Sequence, residues 1–358
     1  MWQEIIILHT VYIMLLSPEE LKQQTRDLWK NCFHENDDFL DIYFEDKYRP
    51  GRNITARPYG DVVAAAQLLP YRMTFYGNVL YTGYVSGLCV HPDFRRRGLS
   101  SQILYQAHRD LYRQGGTLSF LIPGSEDLRR FYEDKDHGAY WTSTYRMEVS
   151  FTAGDDLDDS VTVERPEEWG EDLYVYFRRN TGYDFMFHPS HDDFFAALSV
   201  CDLEDGYVLV ARRRQHIAGI CLAVREADGR IFFRSQLVAD EKVRHSFVSY
   251  LCAQTGADKV YARVPVPGST KQAVPYAMAR VINVEKFLRS VLRAYPGFQI
   301  HIGVDGDMHI PENNGYYIIE DGKLRITDRQ PDTVVTPGGL AALFLSAQPT
   351  YVEMMLDE

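Results

Sequence analysis

The stretch Leu88-Cys89-Val90-His91-Pro92-Asp93-Phe94-Arg95-Arg96-Arg97-Gly98-Leu99-Ser100-Ser101 concentrates residues suited to holding an anion. A β-type run ends at Val90, a basic loop turns, and a helical pattern starts near Gly98. Backbone N–H groups converge at a helix start, and the helix dipole adds partial positive charge there. Gly98 leaves no Cβ in the way of a pyrophosphate, and Ser100 and Ser101 add hydroxyl donors. Arg95, Arg96 and Arg97 make a local cation island suited to phosphates. The same residues also fit a solvated arginine loop before an ordinary helix, so the surrounding elements have to decide between the two. Further along, Ser125-Glu126-Asp127-Leu128-Arg129-Arg130-Phe131-Tyr132 reads as a short helix bearing an aromatic pair. Other groupings are weaker. His188-Pro189-Ser190-His191 with Asp192 and Asp193 lacks the helical H-E-x-x-H context and reads as a loop or helix-cap cluster. Asp305-Gly306-Asp307 lacks the remaining ligands of a calcium loop and reads as a turn. No metal site is expected.

The elements that position these residues follow an α/β (α+β) order. Ser17-Pro18-Glu19-Glu20 predicts a helix start, with Ser17 as cap and Glu20 closing a capping box. Val62 to Tyr71 and Val79 to Val90 read as the strands of a hairpin turned at Phe75-Tyr76-Gly77-Asn78. A helix follows from about Gly98 to Arg113, with Leu99, Ile103, Ala107 and Leu111 on one stripe. Thr117 to Ile122 is a strand, Glu126 to Asp134 a short helix, and Tyr140 to Phe151 another strand. Gly154-Asp155-Asp156-Leu157-Asp158-Asp159 is an acidic joining loop. The pattern then restarts: Tyr207 to Ala211, Ile217 to Val224 and Ile231 to Val238 are strand-like, followed by a helix from Glu241 to about Gln254 and the strand Lys259 to Arg263. A third segment has a helix capped by Asn283, three strand-like runs from Phe298, Tyr316 and Lys323, and a helix Leu340 to Leu345 opened by Gly338-Gly339. The expected divisions are 1–152, 153–275 and 276–358.

Composition bounds the function. A chain of 358 residues suits two or three domains of roughly 150 residues. At 45% hydrophobic and 25% charged it is neither disordered nor fibrous. A net charge of -12 argues against nucleic acid as a partner and favours basic substrates. Five scattered cysteines without a C-x-x-C pair suggest a reducing compartment rather than a disulfide framework. The apolar residues Ile5 to Leu16 follow Glu4 rather than a Lys or Arg and fall short of the about 20 needed to span a bilayer. They read as a first strand, Val11 to Leu16, so a cytoplasmic protein without a membrane partner is expected.

Taken together, Val90-His91-Pro92, Arg95-Arg96-Arg97-Gly98-Leu99-Ser100 and Phe131-Tyr132 resemble the GCN5-related N-acetyltransferase (GNAT) family over about residues 10 to 150. Its motif is R/Q-x-x-G-x-G/A after a V-x-P strand end, with a later F-Y pair; Ser100 stands where Gly or Ala is usual. The resemblance implies that the backbone of Leu88, Cys89 and Val90 pairs with the pantetheine arm of acetyl-CoA. It also implies that Arg95, Arg96, Arg97, Gly98, Leu99, Ser100 and Ser101 hold the pyrophosphate, and Ser125 is counted with the cofactor contacts. Tyr132 would protonate the departing thiolate, which is chemically reasonable for a thiol of pKa about 8.5 and a phenol of pKa about 10.

The whole-chain layout resembles the enhanced-intracellular-survival (Eis) type: tandem GNAT folds with mixed, mostly antiparallel sheets and a C-terminal sterol-carrier-like domain. Tyr276-Ala277-Met278-Ala279-Arg280-Val281, Pro311-Glu312-Asn313-Asn314-Gly315 and Gly339-Leu340-Ala341-Ala342-Leu343-Phe344 carry the likeness of the third segment. In the second half Ala239-Asp240-Glu241-Lys242-Val243-Arg244 occupies the loop position without glycine and with two acids, so no CoA is expected there. The resemblance implies a homo-oligomer, a hexamer, and a terminal carboxylate as general base, here at Glu358. An α-carboxyl of pKa about 3.5 is a weak base for an ammonium, so it would act through water on an amine already neutral. The chain ends Asp357-Glu358 where an apolar residue is more typical. The expected activity is acetyl-CoA-dependent N-acetylation of a primary amine on a basic small molecule, aminoglycoside-like or polyamine-like. The alternatives are a protein or peptide N-acetyltransferase and a non-catalytic lipid carrier.

Overall fold

The computed structural model describes residues 16–58, 60–154 and 157–356. Of the strand expected at Val11 to Leu16 only Leu16 is among them, and Glu358 lies outside them. Helix α1 (Pro18–Phe33) starts as its sequence requires. Ser17 Oγ accepts the Glu20 N–H at 3.2 Å, and the Glu20 carboxylate accepts the Ser17 N–H at 2.8 Å. Helix α2 (Asp37–Ile42) runs into a π-helical turn, Tyr43–Lys47. Then come β1 (Asn53–Ala56), the hairpin β2 (Ala64–Phe75) and β3 (Asn78–Val90), α3 (Leu99–Arg113), β4 (Leu118–Leu121) and α4 (Glu126–Glu133). They are followed by β5 (Trp141–Thr142), β6 (Tyr145–Thr152), β7 (Val161–Glu164), α5 (Glu171–Asn180), β8 (Met186–His188) and α6 (His191–Leu203). The second hairpin is β9 (Tyr207–Arg213) and β10 (His216–Arg225), with β11 (Ile231–Val238), α7 (Glu241–Thr255) and β12 (Lys259–Val266) after it. The chain continues through β13 (Val274–Pro275), β14 (Met278–Val281), α8 (Val284–Ala294) and β15 (Ile300–Val304). The last elements are β16 (Gly315–Glu320), β17 (Lys323–Thr327), β18 (Thr333–Val335) and α9 (Pro337–Leu345).

These strands form three sheets, and the sheets exchange strands. The first has the order β1-β2-β3-β4-β14-β5, with β8 also pairing β2. The second runs β13-β6-β12-β11-β10-β9-β7, and the third β17-β16-β15-β18. Thus β8 and β14, from later in the chain, complete the first sheet, while β6 pairs antiparallel with β12 in the second. The expected continuous strand Tyr140 to Phe151 is therefore two strands in different sheets. The break falls at Ser143 and Thr144, whose N–H groups both bond Ala277 O, at 3.1 and 3.2 Å. Helices α5 and α6 were not foreseen. Helix α6 buries Phe194, Ala196, Leu198, Val200 and Cys201, so most of its circumference is covered and no single apolar stripe marks it. Helix α9 starts at Pro337, earlier than expected, because Thr336 caps it by accepting the Gly339 N–H at 3.1 Å.

The first sheet is packed on both faces. Ile103, Leu104, Ala107 and Leu111 of α3 cover Leu68, Val85 and Leu121, while Phe287, Phe344 and Ile302 cover Phe75, Tyr84 and Phe120. A buried polar chain joins the first and third segments. Arg280, on β14, donates to Asp307 at 2.5 Å and to Gly138 O at 2.7 Å, and His108 Nδ1 lies 2.7 Å from His309 Nδ1. Burial first, and Arg280 second, push His309 down to about 4, so these imidazoles are neutral at physiological pH. No helix among the described residues is long and apolar enough to cross a membrane.

Candidate active site

Strands β3 and β4 pair in parallel only through Thr82–Leu118, Gly83–Ser119 and Tyr84–Phe120. Beyond Tyr84 a bulge bends β3: Ser86 faces Gln67 and Cys89 faces Ala65, leaving one residue too many on β3. Gly87 sits in that bulge at φ 59°, and a Cβ there would lie 1.7 Å from the Trp29 ring. Both the backbone conformation and the close approach of α1 require glycine. The divergence opens a cavity of about 350 Å³ between the strands, walled by Trp29, Tyr84, Leu88, Leu121, Tyr132 and Leu356.

The basic loop lies at the same end of β3. Arg95 Nε and the Cys32 thiol both donate to Val90 O, at 3.2 and 3.5 Å, so Val90 anchors the loop to the strand. Arg96 takes φ 61° and Gly98 φ 77°, which turns the chain into α3. Gly98 is the N-cap and no side chain caps this helix, so the first-turn N–H groups of Leu99, Ser100 and Ser101 have no side-chain acceptor. A Cβ at Gly98 would meet nothing within 4 Å, so the helix end faces open space. Among the described residues Arg95, Arg96 and Arg97 form no ion pair with a carboxylate; Arg97 donates to Asp93 O at 2.9 Å and stacks on Phe94. An uncapped helix end beside three arginines without carboxylate partners fits a pyrophosphate.

The second half lacks this arrangement. Strand β11 pairs in parallel with β12 over Ile231–Phe233 and Val260–Ala262, the counterpart of the β3–β4 pairing. At the start of α7, however, Asp240 accepts the Val243 N–H at 3.1 Å and is clamped by Arg213 at 2.8 and 3.2 Å. A carboxylate already fills the position a phosphate would take.

The structure gathers some of the sequence candidates and separates others. Leu88 and Tyr132 line the cavity; Tyr132 is buried on α4, where Tyr140 N–H donates to its carbonyl at 2.9 Å. Cys89 is buried in the cluster of Leu28, Leu40 and Tyr43 and does not line the cavity. Ser125 caps α4 by accepting the Leu128 N–H at 3.2 Å, which commits its hydroxyl to its own helix. The His188–Asp193 segment is the helix-cap cluster expected: Ser190 and Asp193 form a capping box on α6. Trp29 and Leu356 gave no signal of their own in the sequence as wall residues, because contacts far apart in the chain bring them to the cavity.

The tail after α9 reaches this cavity. Tyr351 N–H donates to Phe185 O at 2.8 Å, Arg146 donates to Val352 O at 2.5 Å, and Ser235 to Glu353 at 3.1 Å. Leu356 then lines the cavity beside Tyr132. A smaller cavity of about 120 Å³ shares Glu35, Phe39 and Leu356 with it, and Glu204 and Arg234 from the second sheet's side complete its wall.

Cys32 reports on the loop. A hydrogen bond with Cys89 and the nearby Arg95 guanidinium bring its thiol down to about 7, against the opposing effect of burial. Burial pushes Cys89 well above the usual thiol value. Alkylation of Cys32 by iodoacetamide should therefore rise through an inflection near pH 7, since the thiolate is the nucleophile. Peptide mapping of the modified protein checks this; an inflection near an ordinary thiol value would show that the Cys89 hydrogen bond, with Arg95 beside it, does not act on Cys32.

Residues 15–139 match the family model of an acetyltransferase (GNAT) domain. Over most of the chain the fold is shared with solved structures of low sequence identity. Eis1 from Mycobacterium abscessus superposes with TM-score 0.71 at 15% identity, covering 92% of this chain and 88% of that one. A GCN5-related N-acetyltransferase from Anabaena variabilis gives 0.71 at 17%, covering 90% and 87%. A protein of Enterococcus faecalis V583 described as a probable N-acyltransferase gives 0.70 at 16%, covering 92% and 88%. Comparison with curated proteins finds no match. The chain therefore carries an acetyltransferase domain of the GNAT family, and acetyl transfer is the chemistry of that domain.

Proposed function

We propose that the protein is an acetyl-CoA-dependent N-acetyltransferase acting on a primary amine of a basic small molecule, aminoglycoside-like or polyamine-like. The observation that carries this reading is the uncapped start of α3 with its three arginines, set beside a cavity that reaches Tyr132 and Leu356. In this reading the first-turn N–H groups and the arginines hold the pyrophosphate, and the edge of β3 beyond the bulge takes the pantetheine arm. The acceptor nitrogen attacks the thioester carbonyl, the C–S bond breaks, and Tyr132 gives its proton to the thiolate. The surplus proton of the amine leaves through water to a carboxylate of the tail, assigned to Glu358. Glu35, on the wall of both cavities, and the net charge of -12 support a cationic acceptor. The division at 152/153 and 275/276, a sterol-carrier-like third segment, homo-oligomerisation and a cytoplasmic location belong to the same proposal.

Release of CoA against a panel of polyamines, aminoglycosides and lysine peptides tests the acceptor class; turnover confined to the peptides would favour a protein acetyltransferase. Tyr132→Phe should lower turnover by about 10²–10⁴-fold while acetyl-CoA affinity stays close to that of the parent, because only the proton donor is removed. Turnover within about threefold of the parent, well short of a general-acid effect, would leave Tyr132 as a packing residue.

A further inference from the structure

One buried charge cluster has no part in the chemistry above. Lys47 is 3% exposed and Asp193 5%. The Lys47 ammonium lies 3.3 Å from Asp193 Oδ1 and donates to the main-chain carbonyl of Met355 at 2.6 Å. Asp193 accepts the Tyr71 hydroxyl at 2.7 Å on one oxygen, and the Ser190 N–H and hydroxyl at 2.8 and 2.7 Å on the other. Burial works to raise the Asp193 carboxyl, but Lys47, Ser190 and Tyr71 outweigh it and hold the group below the usual carboxylate value. The Asp193 carboxyl is therefore ionised at neutral pH. Three segments remote in sequence meet at one cation: the end of the π-helical turn, the start of α6, and the tail.

Stability alone is a poor reason for this arrangement, since a buried ion pair is often no better than apolar residues of the same volume. The tail supplies another. Met354 and Leu356 adopt φ of 60° and 66°, left-handed conformations that non-glycine residues hold only where their surroundings enforce them. Met355, fully buried between them, presents the carbonyl that Lys47 grips. The grips of Arg146 on Val352 and Ser235 on Glu353 lie earlier in the tail and come from the second sheet. Lys47 instead belongs to the first segment, 5.8 Å from the ring centre of Tyr84, which lines the same cavity as Leu356.

We propose that Lys47, oriented by Asp193, is a positioning residue that pins Met355 so that Leu356 meets the acetyl-transfer cavity in one register. The proposal rests on the reading that the tail supplies the base. Lys47→Met keeps the apolar stem and removes the charge. Hydrogen exchange of the full chain should then show protection of residues 350–356 falling by at least about tenfold, in line with a lost hydrogen bond to a charged donor, with α3 unchanged. Turnover should fall by about a hundredfold, the effect of a small misplacement, while acetyl-CoA affinity holds. Lys47→Met with Asp193→Asn leaves no charge unpaired, so it serves where the single variant does not fold, and the same two losses are expected. Unchanged protection of the tail overturns the proposal. A loosened tail with parental turnover overturns the positioning role. In that case the chain lacking Met355 to Glu358 separates the causes: if it is inactive, only the role of Lys47 fails, and if it is active, the reading of the tail as base fails too.

Discussion

Deleting Met355 to Glu358 should abolish acetyl transfer, a loss of at least about 10²–10⁴-fold if the tail carries the general base. Acetyl-CoA binding should survive, because the α3 loop and β3 do not depend on these residues. Leu356 is part of the wall of the cavity that Tyr132 also lines, so truncation opens one side of it and moves the chain's terminal carboxylate back to Met354. Lys47 would keep Asp193 at 3.3 Å and is not left as a lone buried charge. Calorimetric titration with acetyl-CoA and a CoA-release assay on the same preparation check both halves. If the main-chain carboxylate is the acting group, Glu358→Gln should be nearly silent. A dead Glu358→Gln would transfer the role to its side chain, and a fully active truncation would place the base among the carboxylates of the first segment.

Gly98→Glu should eliminate acetyl-CoA binding in calorimetry. At φ 77° any side chain strains the backbone, and glutamate also puts negative charge where the pyrophosphate belongs. The space around Gly98 is open, so the side chain meets no steric block and core packing is untouched. The thermal transition should shift little while binding is lost. The parent should bind one acetyl-CoA per chain, because Asp240 already occupies the counterpart helix start in the second half. Two sites in the parent, or undiminished binding in the variant, would contradict the assignment of this loop.

The acidic counterpart loop shows how far local chemistry can be read from residue order. A glycine, its arginines and the following serines declare an open helix start, and Asp240 declares a closed one, because a cap is decided within four residues. The capping box at Ser17, the hairpin turn at Gly77 and the amphipathic stripe of α3 were legible for the same reason. Helix α6, buried on most sides, was not, since apolar residues spread round a helix leave no clear period to detect.

The sequence by itself determined the local parts of the candidate site: a basic loop that ends a strand and opens a helix without a side-chain cap, and a tyrosine on a short helix after it. Only the tertiary structure decided what completes that site. The bulge at Gly87 lies where β3 parts from β4 beside the cavity, and the ring of Trp29 of α1 packs where a Cβ on Gly87 would stand. Strand β14 enters the first sheet between β4 and β5, which ties the third segment to the first and carries its tail toward Tyr132. Lys47, Asp193 and Met355 have no pattern in the sequence, being separated by hundreds of residues in the longest case. Local rules act over a few residues, whereas a buried charge is satisfied by whatever the folded chain brings within hydrogen-bond distance.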